Sequence, residues 1–352
     1  MQLTASLQQS WPAFVLVTGL LLIGLVASRD GLFEHAGAMI ERLPGGPPAL
    51  LASCLLLVAV VTAFLNLDTA VVFLTPVLVH AARGRGVREE AFLYGTVVMA
   101  NASSLYLPGS NLTNLLVLAH DPISGGRFAA GMLAPALAAS LVTAIGLLLA
   151  FRSTLGGGTA PDRRPPRTGA PTLGLASALA AAGLTLGLRN PALPVLGVGA
   201  AAVLLEIARG RLVPREVLRA VGPVVLVSLF LVSVALGVLA REWSGPSRLL
   251  GDGGRWGTAA LGAISSILIN NLPAAVLLSA SPVAHPRALL IGLNIGPNLA
   301  ATGSLSAVLW WRAATQVDAR PSLAAFTRRG APLALAAMLA ALLASSLPGM
   351  GP

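Results

Sequence analysis

The chain has one cysteine, no lysine, and charged residues at only 10% of its 352 positions. A lone thiol, Cys54, excludes a disulfide within the chain and a thiolate metal cage, each of which needs partners. Soluble domains carry about 25% charged residues, so this shortage excludes an ordinary aqueous surface. Aromatic residues make up 5%, and no basic patch is interleaved with them. That removes the stacking platform of a nucleic-acid binder, despite a net charge of +10. Ser/His/Asp constellations and metal-hydrolysis clusters are missing, and Gly156-Gly157-Gly158 lacks the Lys-Ser/Thr of a phosphate loop. His35, His80, His120 and His285 read as loop or interface residues. No cofactor, bound metal or nucleotide is indicated, and the chain does not read as an enzyme.

Hydrophobic residues are abundant, at 55%, with a mean hydropathy of +0.82. Apolar segments fall at about 12–27, 48–80, 91–119, 129–151, 172–188, 193–208, 220–240, 256–282, 288–311 and 331–347. These predict an all-α integral membrane protein that crosses the cell membrane many times. Phe14–Ala27 has no basic segment before it and no small-residue cleavage site after it, so it reads as a retained first helix. The 23 arginines lie between the apolar segments, where they act as topology determinants on the cytoplasmic side.

Four polar strings interrupt the apolar runs: Asn66-Leu67-Asp68-Thr69, Ser110-Asn111-Leu112-Thr113-Asn114, Asn270-Asn271-Leu272-Pro273, and the stretch from Asn294 to Ser306. Polar groups at membrane depth are costly in lipid, so such strings belong at a site or a water-filled cavity. Segment 48–80 is too long for one upright helix and carries its string near the middle, which suits a crossing followed by a broken, re-entrant return. The run Thr62 to Val72 also resembles Ser265 to Val276. On that correspondence 12–27 matches 220–240, 91–119 matches 288–311, and 129–151 matches 331–347.

Charge tests the orientation of this repeat. With Arg83, Arg85 and Arg88 inside, successive crossings also place Arg152, Arg163, Arg164 and Arg167 inside. The same holds for Arg209, Arg211, Arg215 and Arg219, and for Arg312, Arg320, Arg328 and Arg329. This agreement requires 256–282 to be a hairpin, so the prediction is two inverted-topology halves with broken helices and re-entrant hairpins. The halves are 1–151, shortened by about two helices, and 172–352, joined by a Gly-, Pro- and Arg-rich cytoplasmic linker at 152–171.

Broken helices expose amide N–H and carbonyl groups that bind an oxyanion, a neutral polyhydroxyl solute or a cation. Pro108-Gly109, Pro273, Gly296-Pro297 and Gly303 are the predicted helix breakers. Ser110, Asn111, Thr113, Asn114, Asn270, Asn271, Asn294, Asn298, Thr302 and Ser304 are the candidate solute ligands. The plainer alternative is a set of kinks whose amides and hydroxyls bond only to backbone. Asp68 is the sole carboxylate deep in an apolar run, because Glu206 near a helix end can reach the interface. A charge at Asp68 costs several kilocalories per mole unless it is protonated or paired, which makes Asp68 the candidate proton- or cation-coupling residue, with Asn66 and Thr69 beside it. Its competing role is a helix cap for Thr69 to Val71.

These strings resemble the ArsB-type arsenite/antimonite permeases, within the ion-transporter superfamily of citrate, dicarboxylate and sodium/proton carriers. The resemblance rests on Gly31-Leu32-Phe33-Glu34, Asp68-Thr69-Ala70, Leu74-Thr75-Pro76, Ala102-Ser103-Ser104-Leu105 leading to Ser110–Asn114, Leu218-Arg219, Asn270–Pro273, Asn294–Pro297 and Thr302–Leu305. It covers the chain from about residue 14 onward. In three places the chain departs from the family pattern. It begins about two helices into such a permease, Leu67 precedes Asp68 where the family pairs Asn with Asp, and Asn298 stands where many members have lysine. The resemblance implies a secondary transporter of the cell inner membrane that extrudes As(III) or Sb(III), as a proton antiporter or with a separate arsenite-stimulated ATPase, and that is often a homodimer. With Cys54 as the only thiol, arsenite must instead be held through its hydroxyls by Asn, Ser, Thr and backbone groups. The rival expectations are a carrier for another small inorganic or organic anion, a sodium/proton antiporter, and a non-transporting membrane protein.

Overall fold

In hydrocarbon every backbone amide must find its partner inside its own segment, so the long apolar runs become helices. The computed structural model describes residues 2–120, 123–156, 172–243 and 245–346. Helix α1 (Gln2–Arg29) has 28 residues. At 1.5 Å per residue it is roughly 40 Å long and separates two ends of the molecule. A short α2 (Leu32–Glu41) follows. The run at 48–80 divides into α3 (Pro47–Phe64) and α4 (Leu67–Gly84). Next come α5 (Glu90–Ser103), a 3-10 turn at Pro108–Ser110, α6 (Leu112–Leu118) and α7 (Gly125–Ala150).

After residue 171 the chain forms α8 (Thr172–Gly187), α9 (Ala192–Ala208), α10 (Pro214–Val221) and α11 (Pro223–Glu242). It continues with α12 (Gly245–Asp252), α13 (Gly254–Ile269), α14 (Asn271–Leu278) and α15 (Pro286–Ile295). A 3-10 turn at Gly296–Leu299, α16 (Leu305–Thr315) and α17 (Leu323–Ala344) complete it. The predicted linker at 152–171 lies outside the described residues from 157 onward.

Six stretches among the described residues are long and apolar enough to cross a membrane. Their outer faces match that role. On α7, Leu133, Leu137, Leu141, Ile145 and Leu149 form an exposed ridge at every fourth residue, the spacing of one helix face. The protein is an all-α, multi-pass membrane protein.

Contacts between loops define the two ends. At one, Arg29 pairs with Glu216, and Arg211 faces Asp30 at 3.9 Å. Arg85 donates to the carbonyls of Glu41 and Gly45, which ties the far end of α4 to the start of α3. Burial raises the Glu41 carboxyl above its ordinary value, and Arg85 and His80 offset part of that rise. The α3–α4 hairpin therefore opens toward this arginine-rich end, and its tip at Leu65–Asn66 lies within the bundle. At the other end, Gln9 of α1 donates to the carbonyls of Leu116 and Ser279, at the close of α6 and α14. Helix α12 packs on both α13 and α14, so the second hairpin opens at this opposite end.

Helices α13 and α15 approach closely at glycines. A Cβ on Gly292 would lie 2.1 Å from the Ala259 carbonyl oxygen, and one on Gly296 would lie 2.6 Å from Ala263 Cα. Backbone cannot yield as a flexible side chain can, so Gly292→Ala must push the helices apart. We expect it to cost about 1–3 kcal/mol, read as a lower thermal midpoint in detergent.

The helix breaks fall at the polar strings, but Pro108 and Pro273 follow a break and do not make it. Helix α5 has already ended at Ser103, and Pro108 opens the 3-10 turn that follows. In the second hairpin the interruption is at Asn270, and Pro273 sits in the first turn of α14, where a missing N–H costs nothing. Gly296 and Pro297 open the second 3-10 turn. Gly303 is required by contact, since a Cβ there would lie 2.5 Å from Pro297 Cα. Glu206 is fully buried at the end of α9, and Arg209, itself exposed, bonds its carboxylate at 3.1 Å.

Candidate functional site

Each hairpin tip is braced by a hydroxyl from the neighbouring broken helix. Ser110 donates to the Ala63 carbonyl at 3.1 Å, three residues before Asn66. Thr302 donates to the Ile267 carbonyl at 3.1 Å, three residues before Asn270. The Gly303 carbonyl further accepts from Asn271 N–H at 2.9 Å. Ser304 is joined to Ser306 at 2.6 Å.

Between the tips the two broken helices cross, and their amides bond to each other. Asn294 on α15 is the hub. Its Oδ1 accepts from Ser104 at 2.7 Å, from Asn111 at 2.6 Å and from Thr113 at 3.3 Å. Its Nδ2 donates to Asn114 Oδ1 and to the Leu290 carbonyl, both at 2.8 Å. Asn114 in turn donates to the carbonyl of Ser104, just past the end of α5, and to that of Leu107, which also accepts from Ser110 N–H. Asn298 accepts from Asn101 at 2.8 Å and donates to the Val98 carbonyl at 2.9 Å. All these residues are buried. The predicted ligands Ser110, Asn111, Thr113, Asn114, Asn294 and Asn298 are therefore brought together, with protein partners for their side chains.

Unused polar capacity lies elsewhere. Asn66 caps α4 by accepting from Thr69 N–H at 2.6 Å, so the cap is Asn66 and not Asp68. That leaves Asn66 Nδ2 without a partner, as are the buried hydroxyls of Thr62 and Thr69. Asp68 is half-buried in the first turn of α4, and no hydrogen bond or ion pair among the described residues engages its carboxylate. The α4 N-terminus supplies a positive dipole end beside it. Asn101 Oδ1 is a further buried acceptor with no partner. Thr62 and Asn101 were not among the sequence candidates. Thr62 lies one helical turn before Asn66, and that spacing was the available signal.

At the second tip, Asn270 accepts from Leu272 N–H at 3.3 Å and has φ of 74° and ψ of 148°. This conformation is strained for any residue but glycine, by about 1–3 kcal/mol. Asn271 beside it is buried, and its side-chain amide has no partner among the described residues. Replacing Asn270 by Gly removes the strain and loses only a few tenths of a kcal/mol of capping. Asn270→Gly is expected to match or exceed the wild-type thermal midpoint, whereas Asn270→Ala is expected to fall below it.

A cavity of about 220 Å³ opens at the end away from the arginine-rich loops. Gln9, Leu115, Thr185, Arg189 and Asn190 line it, and Pro108 of the first break lies among them. It does not include Asp68 or Asn271.

A multi-pass helical protein whose broken helices meet at a buried polar centre has the construction of a secondary membrane transporter, and the comparisons agree. The citrate transporter family model (CitMHS) matches residues 3–305, and the chain belongs to that family. It is similar to the arsenical pump membrane protein of Escherichia coli K12, at 27% identity over 96% of this chain and 86% of that protein. The arsenical pump membrane protein of Yersinia enterocolitica is 26% identical over the same shares. A silicon efflux transporter of rice, Oryza sativa subsp. japonica, is 27% identical over 43% of this chain and 31% of its own length. Among solved structures, the YdaH transporter of Alcanivorax borkumensis superposes with a TM-score of 0.64 at 16% identity. That match covers 100% of this chain and 89% of the other.

Proposed function

We propose that the chain exports As(III) and Sb(III) as neutral hydroxylated acids, in exchange for protons taken up by Asp68. The observation that carries this reading is the unpartnered Asp68 carboxylate in the same hairpin as the unpartnered polar atoms of Thr62, Asn66 and Thr69. A carboxylate without a counter-ion at membrane depth favours binding a proton. Hydroxyl and amide groups with spare capacity suit a small solute that presents only hydroxyls. The names of the relatives support this chemistry, since arsenous and silicic acids are both small neutral polyhydroxyl acids.

In this reading residues 1–151 and 172–352 are inverted halves, with 152–171 a cytoplasmic linker. The arginine-rich end faces the cytoplasm, and the protein lies in the cell inner membrane. The paired braces Ser110 to Ala63 and Thr302 to Ile267 support the correspondence of the halves. The crossed Asn294 network is their lock, and solute contacts come from the two hairpin tips, with Asn270, Asn271 and Thr302 on the second. The cavity above Pro108 is the outer route. A homodimer is a compatible assembly, and the proton gradient is the driving force, to which a separate arsenite-stimulated ATPase would add.

A second reading is an organic-anion carrier. It is favoured by the family's citrate name and by the N-terminus of α14, which has no carboxylate in its first turn. Uptake into everted membrane vesicles separates the two. Radiolabelled As(III) accumulation that excess citrate leaves unchanged supports export of the neutral acid. Citrate accumulation without As(III) uptake rejects it, and accumulation of neither leaves a protein that does not transport these solutes.

A further inference from the structure

We infer that α10 is a binding site for anionic phospholipid, with Arg215 and Arg219 clamping the headgroup phosphate. The inference rests on the membrane-spanning fold and is independent of the transported solute. Helix α10 has no buried residue, yet its rotation is fixed. Glu216 pairs with Arg29 at the end of α1 and also accepts from Val213 N–H at 3.2 Å. Val217, Ala220 and Val221 pack on the cluster formed by Leu22, Val26 and Val203. This anchoring turns Arg215 and Arg219, four residues apart and therefore side by side, to the exposed face.

Charge accounting singles out the same pair. The other arginines of this junction have carboxylates: Arg29 has Glu216, Arg209 has Glu206, and Arg211 lies 3.8 Å from Glu206 and 3.9 Å from Asp30. Arg215 and Arg219 are exposed and have no partner among the described residues. They carry the uncompensated positive charge of the arginine-rich end at this point.

The surroundings identify the source of the complementary anion. Leu218, between the two arginines in sequence, is 61% exposed. Gly222 takes a left-handed φ of 58°, and the chain turns directly into α11, where Val224 is 79% exposed. An apolar face of a membrane helix is thus continuous with a short helix that presents two free guanidiniums at its edge. A phosphate joined to acyl chains satisfies both features, because its charge meets the arginines while its chains cover Leu218 and Val224. Free phosphate or an acidic peptide satisfies only the first.

The test uses the full chain in neutral detergent with added dioctanoyl phosphatidylglycerol, dioctanoyl phosphatidylcholine, inorganic phosphate or polyglutamate. The wild type is expected to gain thermal stability with phosphatidylglycerol only. At about 1 kcal/mol per arginine, Arg215→Gln/Arg219→Gln should weaken its apparent affinity about thirtyfold. Arg127→Gln/Arg248→Gln should leave the affinity unchanged. Wild-type unfolding that is indifferent to phosphatidylglycerol overturns the inference, as does a 215/219 variant with wild-type affinity. An equal response to phosphate or to polyglutamate also overturns it, in favour of a free anion or an acidic protein. Should the double variant fail to fold, Arg215→Lys/Arg219→Lys keeps the charge but loses the bidentate fork. It is then expected to fall between full affinity and none, and wild-type affinity in it contradicts the clamp.

Discussion

Asn294→Leu is expected to lower stability by about 3–5 kcal/mol, the largest effect of any single side chain considered. Leucine nearly preserves volume, so packing is not the cause. The cause is the loss of five hydrogen bonds at once, since Ser104, Asn111, Thr113, Asn114 and the Leu290 carbonyl all bond to this one amide. Each is buried where no solvent replaces the partner, and an unsatisfied buried group costs about 1–3 kcal/mol. Some of these groups keep a second bond, as the Ser104 hydroxyl does to the Asn101 carbonyl, which keeps the sum below the full penalty. The readout is the thermal midpoint of the purified protein in detergent. A wild-type midpoint with lost solute binding would instead make Asn294 a solute ligand and not the lock between broken helices.

The second large effect concerns Asp68. Asparagine keeps the size and hydrogen-bonding capacity of the carboxyl but can neither take up nor release a proton, so Asp68→Asn should still load and turn over while carrying no proton. Accumulation of As(III) driven by a pH gradient is expected to fall to the background of empty vesicles. Exchange of labelled for unlabelled As(III) at equal concentration should continue within a few-fold of wild type. The hairpin itself should be undisturbed, because Asn66 and not Asp68 caps α4. Loss of both gradient-driven and exchange activity would assign Asp68 to solute holding, and retention of both would remove it from the cycle.

Much of the architecture was legible because polar groups are rare enough in this chain to be conspicuous. Asn66 and Asn270 mark the two hairpin tips, and the strings at 110–114 and 294–306 mark the crossing of the broken helices. Hydropathy reports that a polar side chain is costly in lipid, but not which neighbour satisfies it. Asn294 and Asp68 look equally out of place in sequence, yet among the described residues one side chain has every hydrogen-bonding position occupied and the other has none. Pro273 was misjudged for a related reason. A proline breaks a helix interior but is well placed in a first turn, and only the position of Asn270 decides which applies. Glu206 was legible as a residue near the end of α9, but not that the basic turn after α9 folds back over it. Gln9 carried no sequence signal at all, since its partners on α6 and α14 are more than a hundred residues away.

On the proposed function, this chain without another protein couples proton movement to As(III) through one carboxylate. This coupling is tested most directly in proteoliposomes of purified protein with the membrane potential clamped at zero and the interior made acidic. One proton exchanged per neutral acid should concentrate As(III) inside about tenfold per pH unit, because each unit is worth about 1.4 kcal/mol. A protonophore should abolish the gradient. Internal As(III) that merely equals the external concentration at every imposed pH difference would rule out proton coupling.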